Sequence, residues 1–338
     1  MHGLLGDYLT KHSPPSHHQN GFDGNSDILS TKIYWGDVFR LWWWLYLRYL
    51  GRSRSWRVPG EHQGSTMKNV VITGSFDNIQ SRNIRFLEEA AKLGSLHVLL
   101  WSDDVVRQLE DREPKFPQKE RQYFLEAVRF VDHVALVNEV QNVNKTPQIE
   151  GVEPEIWVVS EVEDTPEKQL YCETHQIEYR VINLEDLKTY PPKPEADSQP
   201  STKKKVLVTG CFDWFHSGHV RFFEETSELG DLYVVVGHDE NVRLLKGEGH
   251  PMYNENERRY MAGSIRFVTQ ALISSGSGWM DAEPEIAAVR PDIYAVNEDG
   301  DKPEKQAFCE QHGLEYVVLK RTPAEGLPKR TSTDLRGF

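Results

Sequence analysis

Cysteine is scarce in this chain of 338 residues, which has only Cys172, Cys211 and Cys309. An odd number of cysteines without a metal-binding spacing argues against a disulfide framework and against a structural zinc site. We therefore expect free thiols in a reducing, cytoplasmic compartment and no metal site built from protein side chains.

Positive charge is also in short supply, because 39 lysines and arginines face 52 aspartates and glutamates, for a net charge of −13. The first 66 residues carry +2, so residues 67–338 carry −15. Such an acidic surface repels polyanions, which argues against DNA or RNA as a partner. A single nucleotide remains a possible ligand, since it needs only a local positive site.

A clean apolar run long enough to cross a membrane is missing. Residues 33–50 approach the necessary length, and no signal-peptide pattern precedes them. Three charged side chains interrupt that segment: Asp37, Arg40 and Arg48.

Residues 1–66 differ in composition from the rest, since residues 12–31 are rich in Ser, His, Asn, Gly and Pro, as disordered segments are. We predict a poorly ordered extension here. The leading hypothesis is that it is not part of the working protein, because Met67 stands directly before the first predicted strand. The alternatives are contact with a membrane surface through residues 33–57, which combine tryptophans and arginines, and an ordinary docking helix.

The remainder of the chain is an internal repeat. Its halves share G-x-F-D after an apolar strand, and Cys172 and Cys309 are repeat partners. The matching segments are 69–94 with 205–230, at an offset of 136, and 153–182 with 290–319, at an offset of 137.

Each repeat alternates short apolar strands with helical patterns, which predicts an α/β fold with a parallel sheet covered on both faces. We predict a first domain over residues 67–187 and a second over residues 205–338. Residues 188–204 contain four prolines and no apolar periodicity, as expected of a linker. Sheets of this kind bind ligands at the carboxyl ends of their strands.

The second repeat carries a motif at such a strand end, Gly210-Cys-Phe-Asp-Trp-Phe-His-Ser-Gly-His219. The turn leads into a helix, whose first N–H groups and dipole favour an anion. His216 and His219 are three residues apart across the helix start, so both can face one phosphate chain. Gly218 leaves room between them, and Gly210 allows a ligand to approach the backbone closely.

This motif, G-x-F-D-x-x-H-x-G-H, resembles the signature of the cytidylyltransferase-like nucleotidyltransferases, which implies two tandem Rossmann-like domains. Lys246-Gly247 and Met252–Arg258 are similar to the K-G and M-x-N-E-N-E-R stretches of choline- and ethanolamine-phosphate cytidylyltransferases. Arg321-Thr322 and Ser332-Thr333 resemble a stretched form of their R-T-x-G-I-S-T motif.

The resemblance implies direct displacement at the α-phosphorus of a nucleoside triphosphate by a phosphate oxygen of the acceptor, with Mg²⁺ on the triphosphate. It implies catalytic roles for His216, His219, Lys246 and Arg266. The residues implied to bind the nucleotide are Gly210, Cys211, Phe212, Asp213, Gly218, Asn297, Asp299, Arg321, Thr322, Ser332 and Thr333.

The first repeat has Gln80-Ser81-Arg82-Asn83 where the second has the histidine motif. We therefore predict that it is inactive and pairs with the second repeat within the chain. Arg82 and Arg85 leave an anion-binding role open. Ethanolamine-phosphate cytidylyltransferase also has tandem repeats, but its first is the better-preserved catalytic one, so the division of labour is reversed here.

Three functions follow from these observations. The leading one is transfer of CMP from CTP to a small phosphorylated acceptor of the phosphoethanolamine or glycerol phosphate type. The alternative is an ATP-using adenylyltransferase, since residues 244–251 resemble family members that activate heptose phosphate or flavin mononucleotide. A non-catalytic nucleotide-binding regulator is the third.

If Met67 is the working start, deletion of residues 1–66 leaves a soluble protein with the turnover of the full chain. Gel filtration and an activity assay of the two forms side by side check this. Aggregation or loss of turnover in the shortened form would show that the extension contributes to the working protein.

Overall fold

The computed structural model describes residues 67–148, 150–191, 201–332 and 335. The hypotheses for residues 1–66, part of the predicted linker and the prediction for Thr333 lie outside these residues.

The first repeat forms a five-stranded sheet in the order β3-β2-β1-β4-β5, with every neighbouring pair of strands parallel. Its elements are β1 (Asn69–Gly74), α1 (Ser81–Ala91), β2 (Ser95–Trp101), α2 (Asp103–Glu110), α3 (Gln118–Ala127), β3 (His133–Val137), β4 (Ile156–Ser160), α4 (Pro166–His175) and β5 (Glu178–Ile182).

The second repeat forms an equivalent parallel sheet in the order β10-β9-β6-β7-β8. Its elements are β6 (Lys205–Gly210), α5 (Ser217–Ser227), β7 (Asp231–Val236), α6 (Asp239–Lys246), α7 (Glu255–Gly263), β8 (Val268–Ile273), α8 (Glu283–Val289), β9 (Ile293–Asn297), α9 (Pro303–His312) and β10 (Glu315–Leu319). The predicted α/β class with parallel sheets is thus confirmed.

The continuous apolar run in β6 follows from burial on both faces of its sheet. Val206 and Val208 face an apolar core that extends through both repeats, whereas Leu207 faces a separate cluster of the second repeat; all three are 0% exposed. β6 lies at the centre of its sheet, between β7 and β9, so its carboxyl end opens at the point where the strand order reverses. Ligands bind at this position in open α/β sheets.

The two repeats pack against each other through equivalent elements. Helix α1 contacts α7, and α3 contacts α5. Val128 and Ile265, which are repeat partners, form an antiparallel bridge between the repeats. The interface is therefore close to symmetric, as expected of a duplicated domain.

Arg266, predicted to act at the phosphates, makes its hydrogen bonds in this interface. The pattern predicts that α7 continues to Phe267, but the helix ends at Gly263 and Arg266 follows it. Its Nη2 donates to the carbonyl oxygens of Val128 and Val131 in the first repeat, at 3.0 and 2.7 Å. Its repeat partner Arg129 donates in turn to carbonyl oxygens of the second repeat.

The described part of the chain also bears on two expectations from composition. Cys172, Cys211 and Cys309 are free thiols. Burial raises the pKa of Cys172 and Cys309 to about 11, which suits a packing role. None of the helices in the described ranges combines the length and apolar character that a bilayer crossing needs.

The interface role of Arg266 generates a prediction for stability. Arg266→Met removes two hydrogen bonds to carbonyl oxygens, so the free energy of unfolding is expected to fall by about 1–3 kcal/mol. Urea unfolding followed by circular dichroism measures it, with Arg129→Met as the matched variant, expected to lose at least as much. If Arg266→Met has unchanged stability and a large loss of turnover, the result would instead support binding of a phosphate by Arg266.

Candidate active site

The two histidines of the motif cap the start of α5. His216 is the N-cap residue, and its Nδ1 accepts a hydrogen bond from the backbone N–H of Gly218 at 3.1 Å. His219 Nδ1 accepts one from the backbone N–H of His216 at 3.3 Å. The rings stack with their centroids 4.0 Å apart. Two N–H groups that a helix start leaves without a helical partner are thereby bound by imidazole nitrogens.

These hydrogen bonds fix the tautomer of both rings. A nitrogen that accepts a hydrogen bond carries no proton, so Nε2 is the protonated nitrogen of each neutral imidazole. Each ring is therefore oriented as an Nε2–H donor.

Burial holds the pKa of His219 well below its ordinary value of 6.5, and the electrostatic effects of His216, Arg321 and Lys246 lower it further. His219 is therefore a neutral donor at pH 7. Arg321 and Lys246 also attract an anion, so the surroundings of the neutral ring favour a phosphate group.

Gly218 and Gly210 make room for neighbouring rings. A Cβ on Gly218 would lie 2.9 Å from the His216 ring, so any side chain there would disturb the cap. A Cβ on Gly210 would lie 2.7 Å from the ring of Phe212, whose φ of 50° is in the left-handed region. Packing against Phe212 is therefore a structural reason for glycine at position 210, and the approach of a ligand stays a prediction.

Asp213, predicted to bind the nucleotide, anchors a loop through its carboxylate. Its Oδ1 accepts hydrogen bonds from the backbone N–H groups of Met252 and Tyr253, at 2.7 and 3.1 Å, and its Oδ2 lies 3.2 Å from His250 Nδ1. Asp77 of the first repeat binds the N–H groups of Lys115 and Phe116 in the same way. The carboxylate therefore survives in both repeats for a structural reason.

Lys246 is the last residue of α6 and is exposed. It lies close enough to Cys211 to influence the pKa of that thiol, which burial raises and Lys246 partly lowers again. Together with its effect on His219, this brings the predicted residues Cys211 and Lys246 to the histidine pair.

The predicted residues of the last segment lie beside the end of β9, whose final residue is Asn297. Arg321 Nη1 donates to Asp299 at 2.7 Å, and Ser332 Oγ donates to the carbonyl oxygen of Trp214 at 3.3 Å. Thr322 is exposed. Ser332 therefore ties the segment to the motif loop.

A shallow pocket lies between α5 and the segment over residues 320–330, and most of its charged lining residues are basic. Glu225 is the one carboxylate among the described residues that line it. Ser217, Gly218 and Asn297 also line this pocket, which brings it to the start of α5. Its basic residues are Arg221, Lys320, Arg321, Lys329 and Arg330.

Sequence reasoning missed most of these cations, as well as Glu120 of the first repeat, which binds Ser217 and Arg330. The cations of residues 320–330 could have been predicted, since this run is basic within an acidic chain. The contact between Glu120 and Arg330 could not, because the two residues lie 210 positions apart in the sequence.

The first repeat keeps the caps and loses the imidazoles. Gln80 is the N-cap of α1, and its side chain and that of Asn83 form the same reciprocal pattern as the histidines, with Asn83 Oδ1 accepting from the N–H of Gln80 at 2.9 Å. Arg85, left open as an anion ligand, is engaged by Glu88, Glu89 and the carbonyl oxygen of Asp186.

Comparison with known proteins matches this site to one family. The cytidylyltransferase-like family model matches residues 207–330, within the second repeat. The FAD synthase of Aciduliprofundum boonei is 35% identical over 136 residues, which cover 39% of this chain and 84% of that protein. The FAD synthase of Methanocella paludicola is 31% identical over 135 residues, covering 39% and 93%. The chain belongs to the cytidylyltransferase-like nucleotidyltransferase family.

Two further likenesses are more limited. The bifunctional protein HldE of Desulfatibacillum aliphaticivorans is 39% identical over 92 residues, which cover 27% of this chain and 18% of HldE. A solved lipopolysaccharide core biosynthesis protein from Thermoplasma volcanium is 26% identical, with a TM-score of 0.31, and covers 36% of this chain and 98% of its own.

The lowered pKa of His219 generates a prediction for pH dependence. As pH falls, the unfolded chain takes up this proton near pH 6.5 and the folded protein only at lower pH, so His219 decreases stability below pH 6.5 and has no such effect above it. NMR titration of the His219 ring is expected to give a midpoint below 6.5, and His219→Asn is expected to reduce the loss of stability in acid. A midpoint at or above 6.5 would contradict the assignment of a neutral ring.

Proposed function

We propose that the second repeat is an adenylyltransferase, which transfers AMP from ATP to a small phosphorylated acceptor and releases pyrophosphate. The observation that carries the proposal is the pair of oriented imidazole donors at the start of α5. Ser217 and Gly218 of that helix start also line a pocket with five cations, of which Arg221, Arg321 and Arg330 are in ion pairs with carboxylates. Such a site provides donors and positive charge for a triphosphate within an otherwise acidic chain.

The reaction is a single displacement. A phosphate oxygen of the acceptor forms a bond to the α-phosphorus of ATP, and the bond from that phosphorus to the bridging oxygen of pyrophosphate breaks. An acceptor phosphate with an ionised oxygen has no proton to lose before attack. The protein therefore has to position the two substrates and stabilise the charge on the equatorial and leaving oxygens.

In this proposal the histidines bind the phosphate oxygens that gain charge. His219 and His216 donate from Nε2, and the N–H groups of α5 that remain beyond the cap add a favourable dipole. Lys246 adds a positive charge at the same place. Arg321, Thr322 and Ser332 of the segment over residues 320–332 bind the nucleotide. Asn297, at the end of β9, binds it as well.

Asp299 contributes by orienting Arg321, through the contact at 2.7 Å. Gly210, Phe212 and Gly218 shape the loop that presents the rings. We expect Mg²⁺ to enter bound to the triphosphate, whose oxygens are the hard ligands that it prefers, and it would neutralise part of the phosphate charge.

The choice of ATP is supported by the relatives rather than by geometry. FAD is an adenylyl derivative of a flavin phosphate, so proteins named FAD synthase suggest adenylyl transfer to a phosphorylated acceptor. Two of them align with 136 and 135 residues of this chain, at 35% and 31% identity.

CTP remains the second candidate because of the stretch similar to choline- and ethanolamine-phosphate cytidylyltransferases. Its residues have structural roles here, which weakens that argument. Asn254 caps α7, and Glu255 accepts from the backbone N–H of Asp239 at 2.8 Å. Arg258 donates to the carbonyl oxygens of Cys211 and Tyr253. These contacts support the loop around the site and do not depend on the base.

The decisive measurement is pyrophosphate release with Mg²⁺, with ATP and CTP compared across phosphorylated acceptors that include flavin mononucleotide, sugar phosphates, glycerol phosphate and phosphoethanolamine. We expect release with ATP and one acceptor. Release with CTP alone would overturn the choice of base. Nucleotide binding without release under any condition would favour a regulator.

Variants of the caps test the same proposal. His219→Asn should fold, because Asn83 provides this cap in the first repeat, and should lower turnover by roughly 10²–10³ through loss of an oriented donor. The matched control is Asn83→Ala, which is expected to leave turnover near that of the unchanged protein. Equal losses in both variants would show that the start of α1 is a catalytic site as well.

A further inference from the structure

Glu120, on α3 of the first repeat, makes its polar contacts in the second repeat. Its side chain is 3% exposed. Its Oε1 accepts a hydrogen bond from Ser217 Oγ at 2.6 Å, and its two oxygens receive Nε and Nη2 of Arg330, the closest at 2.8 Å. A buried carboxylate requires such donors, because burial without them is costly.

The contact with Ser217 acts on the histidine motif. Ser217 is the first residue of α5 and stands between His216 and Gly218, the two residues joined by the cap. A fixed acceptor on its hydroxyl therefore holds the helix start against the first repeat. Misplacement of catalytic groups by about 1 Å is enough to slow a reaction greatly.

The contact with Arg330 acts on the basic pocket. The guanidinium lies over the ring of Phe116 of the first repeat, 5.1 Å from its centroid, and binds Glu120 through two nitrogens. The carbonyl oxygen of Arg330 accepts a hydrogen bond from Arg321 at 3.0 Å. Since Arg321 also lowers the pKa of His219, one carboxylate connects the segment to the histidine pair.

The pseudo-symmetric counterpart lacks this arrangement. Glu257, the repeat partner of Glu120, accepts a hydrogen bond from Ser81 at the start of α1. Within the ranges that the structure describes, no arginine or lysine pairs with Glu257. The ion pair to the last segment is thus found on the side that carries the histidines.

We propose that Glu120 is a positioning residue, supplied by the inactive repeat to the active site of the other. It fixes the start of α5 through Ser217 and holds the residue 320–332 segment over the nucleotide through Arg330. The proposal rests on the function proposed above and gives the first repeat a part in it.

Glu120→Gln tests the proposal, with Glu257→Gln as the matched control. The amide keeps the shape of the side chain and removes its charge, so Arg330 loses its ion pair. For Glu120→Gln we expect kcat/KM for ATP to fall about 10–100-fold, with a raised KM, and for Glu257→Gln a change within about twofold. Equal effects of the two variants on kcat/KM would overturn the proposal.

Hydrogen exchange of residues 320–332 provides a readout that does not depend on turnover. Exchange in this segment should become faster in Glu120→Gln and in Arg330→Met. In the double variant it should be as fast as in either single variant, and in Glu257→Gln it should be unchanged. Additive effects in the double variant would show that the two side chains act separately. If the unchanged protein releases no pyrophosphate, the proposed function fails, whereas this exchange pattern still decides whether Glu120 holds the segment.

Discussion

The start of α5 imposes the constraint on which the rest of the site depends. A helix start leaves backbone N–H groups in need of acceptors, and here the acceptors are the Nδ1 atoms of His216 and His219. Capping the helix and presenting two Nε2–H donors are therefore one arrangement. Gly218 has to lack a side chain because the His216 ring occupies that space.

The same constraint explains how the first repeat lost the motif without losing its helix. Asn83 Oδ1 accepts the same backbone hydrogen bond as His219 Nδ1, and Gln80 takes part in the same reciprocal pattern as His216, so α1 remains capped. The two repeats differ in what these side chains carry besides the capping atom. The histidines carry an Nε2–H donor, whereas Gln80 and Asn83 carry an amide group. Folding and chemistry were thus separable at these positions, since they use different atoms of the histidine.

Features with short-range causes were predictable from the sequence. The repeat, the parallel sheets and the histidine motif follow from apolar periodicity and from spacings within a few residues. Helix α9 has equally local signals, since Pro303 begins it and Gly313 follows it with a φ of 68°. Strand β8 has weaker ones, because it is only partly buried and includes polar residues.

Roles that depend on distant partners were not predictable. The carboxylate of Asp213 binds backbone groups about 40 residues away, and Arg266 binds carbonyl oxygens about 138 residues away. In both cases the residue type agrees with a phosphate site and with a structural contact equally well. The structural contact comes from the packing of the two repeats for Arg266 and from the loop over residues 250–253 for Asp213.

Because Glu120 of the first repeat binds Ser217 and Arg330 of the second, different surfaces of the first repeat are under different selective pressure. Under the proposed division of labour, the surface of the first repeat at the start of α1 has no reaction to preserve, so it tolerates substitution as long as the caps of α1 remain. The face toward α5 is different, since a change at Phe116 or Glu120 alters a neighbour's environment as well as its own. In proteins that descend from this duplication, we expect the residues of the first repeat that face α5 to change less than those at the start of α1.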